Sequence, residues 1–512
     1  MFPPTIGVPA YNWAMLNPTS NALPSSTWRN GLLILLTLAA SATCLAAGPP
    51  RPRHIILVMA DDQGWGQTGY NGHPDLKTPH MDAMAKAGLR MNRFYAGGPT
   101  CSPTRAAVLT GRTHVRTGVL EHGYALRRSE RYHLASVARS AGYQTGHFGK
   151  WHLNGIRGPG IPIKSDDRFG PDDFGFDRWY SVTNFFDRDP WMSDQGKMVR
   201  ARGDSSDVAV AAAMQFLRRC ESAGQPSLSL IWFGSPHSPF IAAPEDRSDF
   251  AAMDDASANH HGEIVAMDRG LGTVRSTLDK LGITDQTLLW YCSDNGGLPK
   301  IQPSTVAGLR GHKGTLYEGG IRVPGIIQWP GVVAPNVTET PATALDILPT
   351  ICELLIDASK PIDAPEKWPL DGLSLVSWFD GPPDARDHPI VFRFRKQSAL
   401  VDDRYKLIRT DAPDQRDQLY DLIDDPNETD NLVDRMPLVH QRIAGALTTR
   451  LESIRLSRHG GDYPDGTVDP DHPEPTSWYE SKLYRDRIEA YREHPAIEAW
   501  HDAQLRRQKS RK

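Results

Sequence analysis

The chain has 512 residues, 39% of them hydrophobic, which is enough for a large core and more than one domain. This apolar content excludes disorder over most of the chain. The formal net charge of −4 lacks the basic excess of proteins that bind nucleic acid, so we expect no nucleic-acid partner.

The first feature in chain order is an apolar run near the N-terminus. It extends from Leu32 to Ala40, follows Arg29 and precedes small residues suited to cleavage, which is typical of a secretory signal peptide. The run is too short to predict a membrane span. We expect residues 1–47 to be a signal, with Met15 as an alternative start and a lipoprotein signal ending at Cys44 as a weaker alternative. The mature protein would then be exported, either periplasmic or secreted, with no membrane span.

Apolar, β-rich runs then alternate with helical patterns, which predicts an α/β domain. The stretch "HIILVMADD" at 54–62 is typical of a buried strand, and the next helix is predicted to begin at Pro79 and end before Gly88. A helix followed by a strand is expected within 134–153, and again within 262–297. The pattern predicts one large, mostly parallel sheet flanked by helices.

The C-terminal part has a different pattern. Short alternating strands are predicted within 388–410 and 417–425, followed by a helix over 438–456. They predict a small antiparallel sheet packed by one helix. The tail after Arg458 contains no recognisable motif. Its composition is compatible with a solvated extension and with an oligomer contact. The predicted divisions are a main domain at 48–385, a C-terminal subdomain at 386–457 and an extension at 458–512.

Polar side chains follow four of the predicted strands at their carboxyl ends. Because these ends meet at one crevice in an open α/β sheet, the side chains are expected to converge. Each cluster alone is also compatible with an ordinary turn or cap, so the coincidence of four strand ends carries the prediction. The clusters are Asp61 with Asp62, Lys150 with His152, His237, and Asp294 with Asn295.

The oxygen atoms of this set suit a hard divalent cation. Three aspartates and Asn295 supply carboxylate and amide oxygens, the ligands that calcium and magnesium prefer and zinc does not. A metal ion together with several cationic side chains describes a site for a tetrahedral oxyanion. The basic residues expected around it are Arg105, Lys150, His152, His237 and Lys313.

The stretch "GGPTCSPTRAAVLTGR" places Cys101 at the start of a predicted helix. Pro103 suits the first turn, Ser102 and Thr104 are candidate caps, and the helix N-terminus favours a thiolate. A reactive cysteine competes here with a small residue packed at a turn, since free cysteines are often buried. We expect no disulfide framework from so few cysteines, and Cys292 lies in a run typical of core.

The segment "CSPTRAAVLTGR" resembles the sulfatase signature, in which a cysteine, a proline two residues on and an arginine four residues on open a helix. "GKWHL", "SPHSPF", "SDNGG" and "KGTLYEGGIRVP" resemble further motifs of that family, in family order. The resemblance runs from about Arg53 to Leu432. It implies an alkaline-phosphatase-like fold, with 48–385 as the catalytic domain of an arylsulfatase or N-acetylgalactosamine-6-sulfatase-like sulfuric ester hydrolase.

The resemblance also implies a modified nucleophile. Cys101 would be converted to formylglycine by a maturation enzyme, and one hydroxyl of the hydrated aldehyde would attack sulfur. The second hydroxyl then allows the covalent intermediate to collapse without attack of water on sulfur. Arg105 and Lys150 would hold the formylglycine oxygens. A calcium ion, or alternatively magnesium, would be held by Asp61, Asp62, Asp294, Asn295 and the modified Cys101.

In the family's mechanism four groups move protons or bind the sulfate. The aspartate that matches Asp294 helps to deprotonate the attacking hydroxyl. The groups that match His237 and Lys313 bind the sulfate near the leaving oxygen, which one of them protonates. The residue that matches His152 takes the proton from the remaining hydroxyl, so that sulfate is expelled and the aldehyde is regenerated.

The sequence is least informative about the substrate. An exported sulfatase meets sulfated carbohydrates, which favours a sulfated sugar over a simple aryl sulfate. The long loop at 155–192 carries aromatic residues that either stack on sugar rings or form the loop's own core. These residues are Trp179, Tyr180, Phe185, Phe186 and Trp191.

Other functions are alternatives to a carbohydrate sulfatase. A broad arylsulfatase, or a phosphate or phosphonate monoester hydrolase on the same scaffold, would use the same residues. A cysteine-dependent phosphatase is disfavoured, because its loop needs five residues between cysteine and arginine and this chain has three. A non-catalytic sugar-binding protein would be expected to have lost matched site residues, and none is substituted.

Overall fold

The computed structural model describes most of the chain after residue 48, in the stretches 49–356, 368–412, 414–463, 466–469 and 471–509. The predicted signal, with Met15 and Cys44, lies outside the described residues. From Pro49 onward the chain forms one compact unit, and the predicted division at residues 385 and 457 stays a prediction.

Strands and helices alternate through the first two thirds of the chain, as the sequence predicts. The strands are β1 His54–Ala60, β2 Leu89–Met91, β3 Phe94–Tyr95, β4 Gln144–Lys150, β5 Ile156–Arg157, β6 Arg178–Val182, β7 Trp191–Asp194, β8 Lys197–Arg200, β9 Ser227–Trp232, β10 Thr287–Ser293, β11 Arg322–Val323, β12 Gly325–Gln328, β13 Asn336–Thr338, β14 Ala342–Thr343, β15 Ile390–Phe394, β16 Gln397–Val401, β17 Tyr405–Thr410, β18 Gln418–Asp421 and β19 Thr476–Ser477.

The helices lie between and after these strands. They are α1 Pro79–Ala87, α2 Cys101–Thr110, α3 Leu134–Ser140, α4 Ser205–Ser222, α5 Pro244–Arg247, α6 Asp255–Leu281, α7 Glu318–Ile321, α8 Ile347–Leu355, α9 Pro437–Arg458, α10 Ile488–Arg492 and α11 Pro495–Lys509. Short 3-10 turns occur at Gly69–Asn71, Ser248–Phe250, Thr284–Gln286, Ala344–Asp346, Val376–Trp378 and Arg485–Arg487.

The large sheet has ten strands in the order β13-β2-β12-β10-β1-β9-β4-β6-β7-β8. Its five central strands, from β10 to β6, are parallel, which confirms the predicted α/β architecture. Toward the edges β12, β7 and β8 run antiparallel to their neighbours, so the sheet as a whole is mixed. One cause is the tight turn between β7 and β8, where Gln195 and Gly196 have φ of 49° and 90°.

The central strand β1 is buried on both faces, as expected for a parallel strand covered by helices on two sides. Alternate residues point into two separate clusters. Ile55, Leu57 and Met59 pack with α2, α3 and α8. Their neighbours Ile56 and Val58 pack with α1, α4 and α6. The domain therefore has three layers, with the sheet between two groups of helices.

Two predicted helices illustrate what sets a helix boundary. Helix α1 begins at Pro79 and ends before Gly88, which confirms the sequence prediction. Helix α6 begins earlier than predicted, at Asp255, because the Asp254 side chain accepts a hydrogen bond from the backbone N–H of Ser257 and caps the helix there.

The C-terminal region contains the predicted small antiparallel sheet. Strands β15 to β18 pair in sequence order, and α9 packs on them through Ile443, Leu447 and Ile454. The extension beyond it is not merely solvated. Strand β19 pairs with β5, and Trp478, which is fully buried, packs with Ile156 of β5.

The four described cysteines are free and buried. Cys292 lies in the core beside Trp290. Of the helices in the described stretches, none combines the length and the apolar character that crossing a membrane requires.

Candidate active site

The carboxyl ends of β1 and β10 bring four polar side chains together. Because β1 and β10 are parallel and in register, Asp61 and Asp62 lie beside Asp294 and Asn295. The Asn295 side-chain amide donates to Asp62 Oδ1 at 2.8 Å, and the backbone N–H of Asp62 donates to Asp294 Oδ1 at 3.1 Å. All four residues are fully buried, so their charges require partners inside the protein.

Cys101 is the first residue of α2 and lies against these carboxylates. Its side chain is buried, with Sγ 3.4 Å from Asp61 Oδ1 and 3.7 Å from Lys313 Nζ. The predicted position at a helix N-terminus is confirmed. The thiol therefore lies where a carboxylate, a cation and the first turn of a helix meet.

Two details predicted around Cys101 are wrong. The residue before the helix is Thr100, and the hydroxyls of Ser102 and Thr104 donate to the carbonyls of His152 and Gly98 instead of capping the helix. The expected thiolate is also contradicted, because burial and the nearby Asp61 raise the pKa of the Cys101 thiol. The unmodified thiol therefore stays protonated and is a poor nucleophile.

Each of the three carboxylates is paired with a different cation. A buried ion pair requires both partners, since removing one leaves an uncompensated charge. The pairs join Lys150 Nζ to Asp61 Oδ2 at 2.5 Å, Arg105 Nη2 to Asp294 Oδ2 at 2.7 Å, and Lys313 Nζ to Asp62 Oδ1 at 2.6 Å.

The surroundings shift the pKa values of Asp294 and Asp62 in opposite directions. Burial and Asp61 raise the pKa of Asp294 to about 6. Burial also acts to raise the pKa of Asp62, but Lys313 and His237 outweigh it and hold that pKa below its usual range. Asp294 therefore takes up a proton more readily than Asp62.

Two histidines border the carboxylates and are neutral. His237 Nε2 lies 3.8 Å from Asp62 Oδ2, and burial together with Lys313 lowers the His237 pKa to about 3. His152 has a left-handed backbone with φ of 56°, and burial, Lys150 and Arg105 lower its pKa well below the usual value. Neither ring nitrogen of His152 has a hydrogen-bond partner in the described part of the chain. The ring of His152 is therefore neutral and unpaired within the described stretches.

The donor set fits a divalent cation. One ligand atom each from Asp61, Asp62, Cys101 and His237 lies within 4.8 Å of the others. The side-chain oxygen of Asn295 is buried and has no hydrogen-bond partner among the described residues. Three carboxylates balance three cations, so a bound divalent cation would give the site a positive charge suited to an anion.

The structure brings all the sequence-predicted site residues to one edge of the sheet, and it adds one, His122, that the sequence did not single out. His122 lies near Lys313 and Lys150, and its side chain is about half exposed, at 48%. No motif surrounds it in the sequence. Phe185 stacks on His237, with ring centroids 4.5 Å apart and planes 12° apart.

The predicted group of loop aromatics divides between the site and the core. Trp179 and Phe186 are buried in the two core clusters at 2% and 4% exposure, so they do not offer a ring face to a substrate. The physical reason is that Trp179 lies on β6, where alternate side chains point into the core. Trp191 and Phe185 remain partly accessible.

Family models match most of the described chain. The model described as Sulfatase covers residues 53–358, and the model described as N-sulphoglucosamine sulphohydrolase, C-terminal, covers 311–457. The first includes the ends of the central strands and Cys101. The second includes the small antiparallel sheet and α9.

Individual relatives agree with these matches. The chain is 32% identical to arylsulfatase A of Homo sapiens over 354 residues, 62% of this chain and 66% of that protein. It is 30% identical to N-acetylgalactosamine-6-sulfatase of Rattus norvegicus, over 67% of this chain and 68% of that protein. The crystal structure of Ps i-CgsB in complex with k-i-k-neocarrahexaose has the same fold, with a TM-score of 0.68, 24% identity, and coverage of 86% of this chain and 97% of that one. The chain therefore belongs to the sulfatase family.

Proposed function

We propose that the protein hydrolyses sulfate esters of carbohydrates. The observation that carries this proposal is the position of Cys101, buried at the start of α2 among three carboxylate–cation pairs. The relatives that match over most of the catalytic domain include an N-acetylgalactosamine-6-sulfatase, and a structural neighbour was solved with an oligosaccharide.

The nucleophile in this proposal is a modified Cys101. A maturation enzyme converts the thiol to formylglycine, whose hydrated aldehyde supplies the attacking oxygen. The pKa of the unmodified thiol supports this assignment, since burial keeps it protonated. The three-residue spacing between Cys101 and Arg105 also disfavours a thiolate phosphatase loop.

A calcium ion, or alternatively magnesium, completes the site in this proposal. Asp61, Asp62, Asp294 and Asn295 would hold it, together with the modified Cys101. When bound, the ion supplies Lewis-acid stabilisation of the negative charge on the sulfate oxygens. The unpartnered oxygen of Asn295 supports this ligand set, and the position of His237 near Asp62 makes it a further candidate.

Four basic residues orient the reacting groups. Arg105 and Lys150 are held by their carboxylate partners at the start of α2, where they hold the oxygens carried by residue 101. Lys313 and His237 lie on either side of Asp62 and bind the sulfate near the leaving oxygen. Such preorganised charges stabilise a transition state without reorganising during the reaction.

Three groups handle protons. The pKa of Asp294 is raised to about 6, and its carboxylate accepts the proton of the attacking hydroxyl. Lys313, which is charged, delivers a proton to the leaving oxygen, while the neutral His237 binds the sulfate. His152, neutral and without a hydrogen-bond partner among the described residues, takes the proton of the remaining hydroxyl at a ring nitrogen. The sulfate is then released.

The proposed substrate is a sulfated hexose or hexosamine at the end of an oligosaccharide. The test compares kcat/KM for a panel of sulfated mono- and oligosaccharides with kcat/KM for 4-nitrophenyl sulfate and its phosphate and phosphonate analogues. We expect one sulfated sugar to exceed every other compound. If the aryl sulfate exceeds every sugar, the protein is a broad arylsulfatase. If a phosphate or phosphonate ester is the best substrate, the sulfatase proposal is wrong.

We also propose that the protein is exported to the periplasm or secreted. The support is the apolar run from Leu32 to Ala40 with Arg29 ahead of it. N-terminal sequencing of the mature protein should begin close to residue 48. A mature protein that retains residue 1 or Met15 would contradict export through this signal.

A further inference from the structure

A pocket next to the proposed active site is built partly by the C-terminal extension. One wall comes from the 185–191 segment and Pro239, and the opposite wall comes from α11 through Ile497 and Trp500. The pocket borders the site because Phe185, which lines it, stacks on His237. The cavity holds about 50 Å³ and opens to solvent, so a ligand the size of a ring would occupy it in part and extend outward.

The extension is held against the main domain on the side of this pocket. Trp478 is fully buried, and its ring lies 5.8 Å from that of Trp500. Both rings pack against Gly158, where an added Cβ atom would lie 2.7 Å from Trp478 and 2.8 Å from Trp500. The backbone of Gly158 has φ of 111°, so no larger residue fits there. The indole of Trp500 is therefore fixed before any ligand arrives, which lowers the entropy cost of binding.

The polar atoms of the pocket favour a ligand with groups that form hydrogen bonds. Three residues that line it carry a buried polar atom without a hydrogen-bond partner among the described residues: Asp187 through Oδ1, Trp191 through Nε1 and His494 through Nδ1. A ligand that leaves such buried atoms unpaired binds less well than one that forms hydrogen bonds with them. A purely apolar ligand, such as an aryl or steroid group, would leave all three unpaired.

The charge of the pocket restricts the ligand further. Among the residues that line it, Asp187 is the carboxylate and there is no lysine or arginine. Burial and the nearby Asp204 raise the pKa of Asp187, which indicates an environment that disfavours negative charge. A second sulfate or a uronic acid would enter without a cationic partner. An uncharged sugar ring has apolar faces that match Trp191 and Trp500 and hydroxyls that match the unpaired atoms.

We propose that this pocket binds an uncharged sugar ring attached to the sulfated sugar, so that the C-terminal extension selects sulfated oligosaccharides over sulfated monosaccharides. This inference rests on the proposed function, since the sulfated sugar must occupy the site beside His237. It assigns the tail a role in specificity and none in the chemical step.

The test uses galactose and N-acetylgalactosamine monosulfates, each free and linked to one unsulfated galactose, with 4-nitrophenyl sulfate as a small reference substrate. We expect the wild-type protein to prefer the linked form by about 10-fold or more in kcat/KM. In Trp500→Ala this preference should fall close to one, while kcat/KM for 4-nitrophenyl sulfate stays within about 2-fold. Leu505→Ala is the matched control, because Leu505 is exposed on the same helix and does not line the pocket.

A second variant separates loss of contact from loss of folding. Trp191→Phe keeps an aromatic ring but removes the unpartnered Nε1–H, and it should also reduce the preference, with an unchanged unfolding temperature. If Trp500→Ala unfolds the extension, the Trp191→Phe result decides. The inference is wrong if the wild-type protein has no preference for the linked sugars, or if Trp191→Phe leaves the preference intact. It is also wrong if a folded Trp500→Ala variant loses the aryl sulfate activity equally. Failure to hydrolyse any sulfate ester would instead contradict the proposed function itself.

Discussion

Lys313 Nζ lies 2.6 Å from Asp62 Oδ1, although 251 positions separate the two residues in the chain. The loop that carries Lys313 is fixed by backbone hydrogen bonds to the turn after β10, from Lys313 N–H to the Gly297 carbonyl and from Gly296 N–H to the Gly320 carbonyl. The positive charge is thus placed by the main chain, independently of any substrate. This relationship makes Lys313 the most direct position at which to test the proposed chemistry.

Replacing either Lys313 or Asp294 should abolish most of the turnover. Lys313→Ala removes the cation near the leaving oxygen, and Asp294→Asn removes the carboxylate that accepts a proton while still accepting a hydrogen bond from Arg105. Each should lower kcat by about 10²–10³-fold. Lys280→Ala, an exposed lysine on α6, is the control. Turnover close to wild type in a folded Lys313→Ala or Asp294→Asn variant would mean that the site is assigned to the wrong residues.

Chelation of divalent cations should inactivate and destabilise the protein. Calcium or magnesium added back should restore activity and raise the unfolding temperature. By mass action, a cation concentration of 100 times the dissociation constant adds about 2.7 kcal/mol to the free energy of unfolding. Asn295→Ala removes a proposed ligand oxygen and should require a higher cation concentration for the same recovery. Asn336→Ala, at an exposed asparagine, should not. An unfolding temperature that is insensitive to chelator and cation would argue against the metal site.

The acid side of the pH–activity profile should be governed by a carboxyl group. His237, with a pKa lowered to about 3, and His152, lowered well below its usual value, both stay neutral as the pH falls through 6.5. Asp294 must be ionised to accept a proton, and its pKa is about 6. Activity should therefore decline as the pH falls, with a midpoint no higher than about 6, since a bound cation lowers a carboxyl pKa further.

His237→Gln provides the control for this assignment. It should reduce kcat but leave the acid midpoint in place, since the titrating group is not the imidazole. The measurement is kcat/KM from pH 4 to pH 8 for both proteins. A midpoint well above 6, or one that moves in the variant, would show that a histidine controls the acid limb.

Trp179 should behave as a structural residue. It is 2% exposed and packs in the core cluster that contains Trp151 and Trp232, so Trp179→Ala should lower the free energy of unfolding by about 3–5 kcal/mol. Denaturant unfolding measures this loss. A stable Trp179→Ala variant with selectively reduced activity on sulfated sugars would indicate that the indole contacts substrate after all.

The convergence of the polar strand ends was accessible from the sequence because it depends on strand direction alone. Once β1 and β10 are assigned as neighbouring parallel strands, Asp62 and Asn295 must meet at one edge. The motif around Cys101 likewise indicates a helix start from local composition. These inferences require no knowledge of side-chain packing.

The errors concern properties that only tertiary packing decides. The Ser102 hydroxyl has a carbonyl acceptor at His152, and so it does not cap its own helix. Burial and Asp61 raise the pKa of Cys101, which a helix-start motif does not reveal. Trp500 lines the neighbouring pocket only because the extension folds back onto Gly158, and no local sequence pattern encodes that contact.

The central claim is that Cys101 is converted to the nucleophile of a sulfatase, and mass spectrometry of one peptide tests it most directly. Trypsin releases Phe94–Arg105 from the active protein, a peptide that contains this cysteine alone. We predict that the peptide has lost the sulfur atom and gained an aldehyde oxygen, in a fraction that tracks specific activity across preparations. Full sulfatase activity in a preparation whose peptide carries only the unmodified thiol would contradict the account.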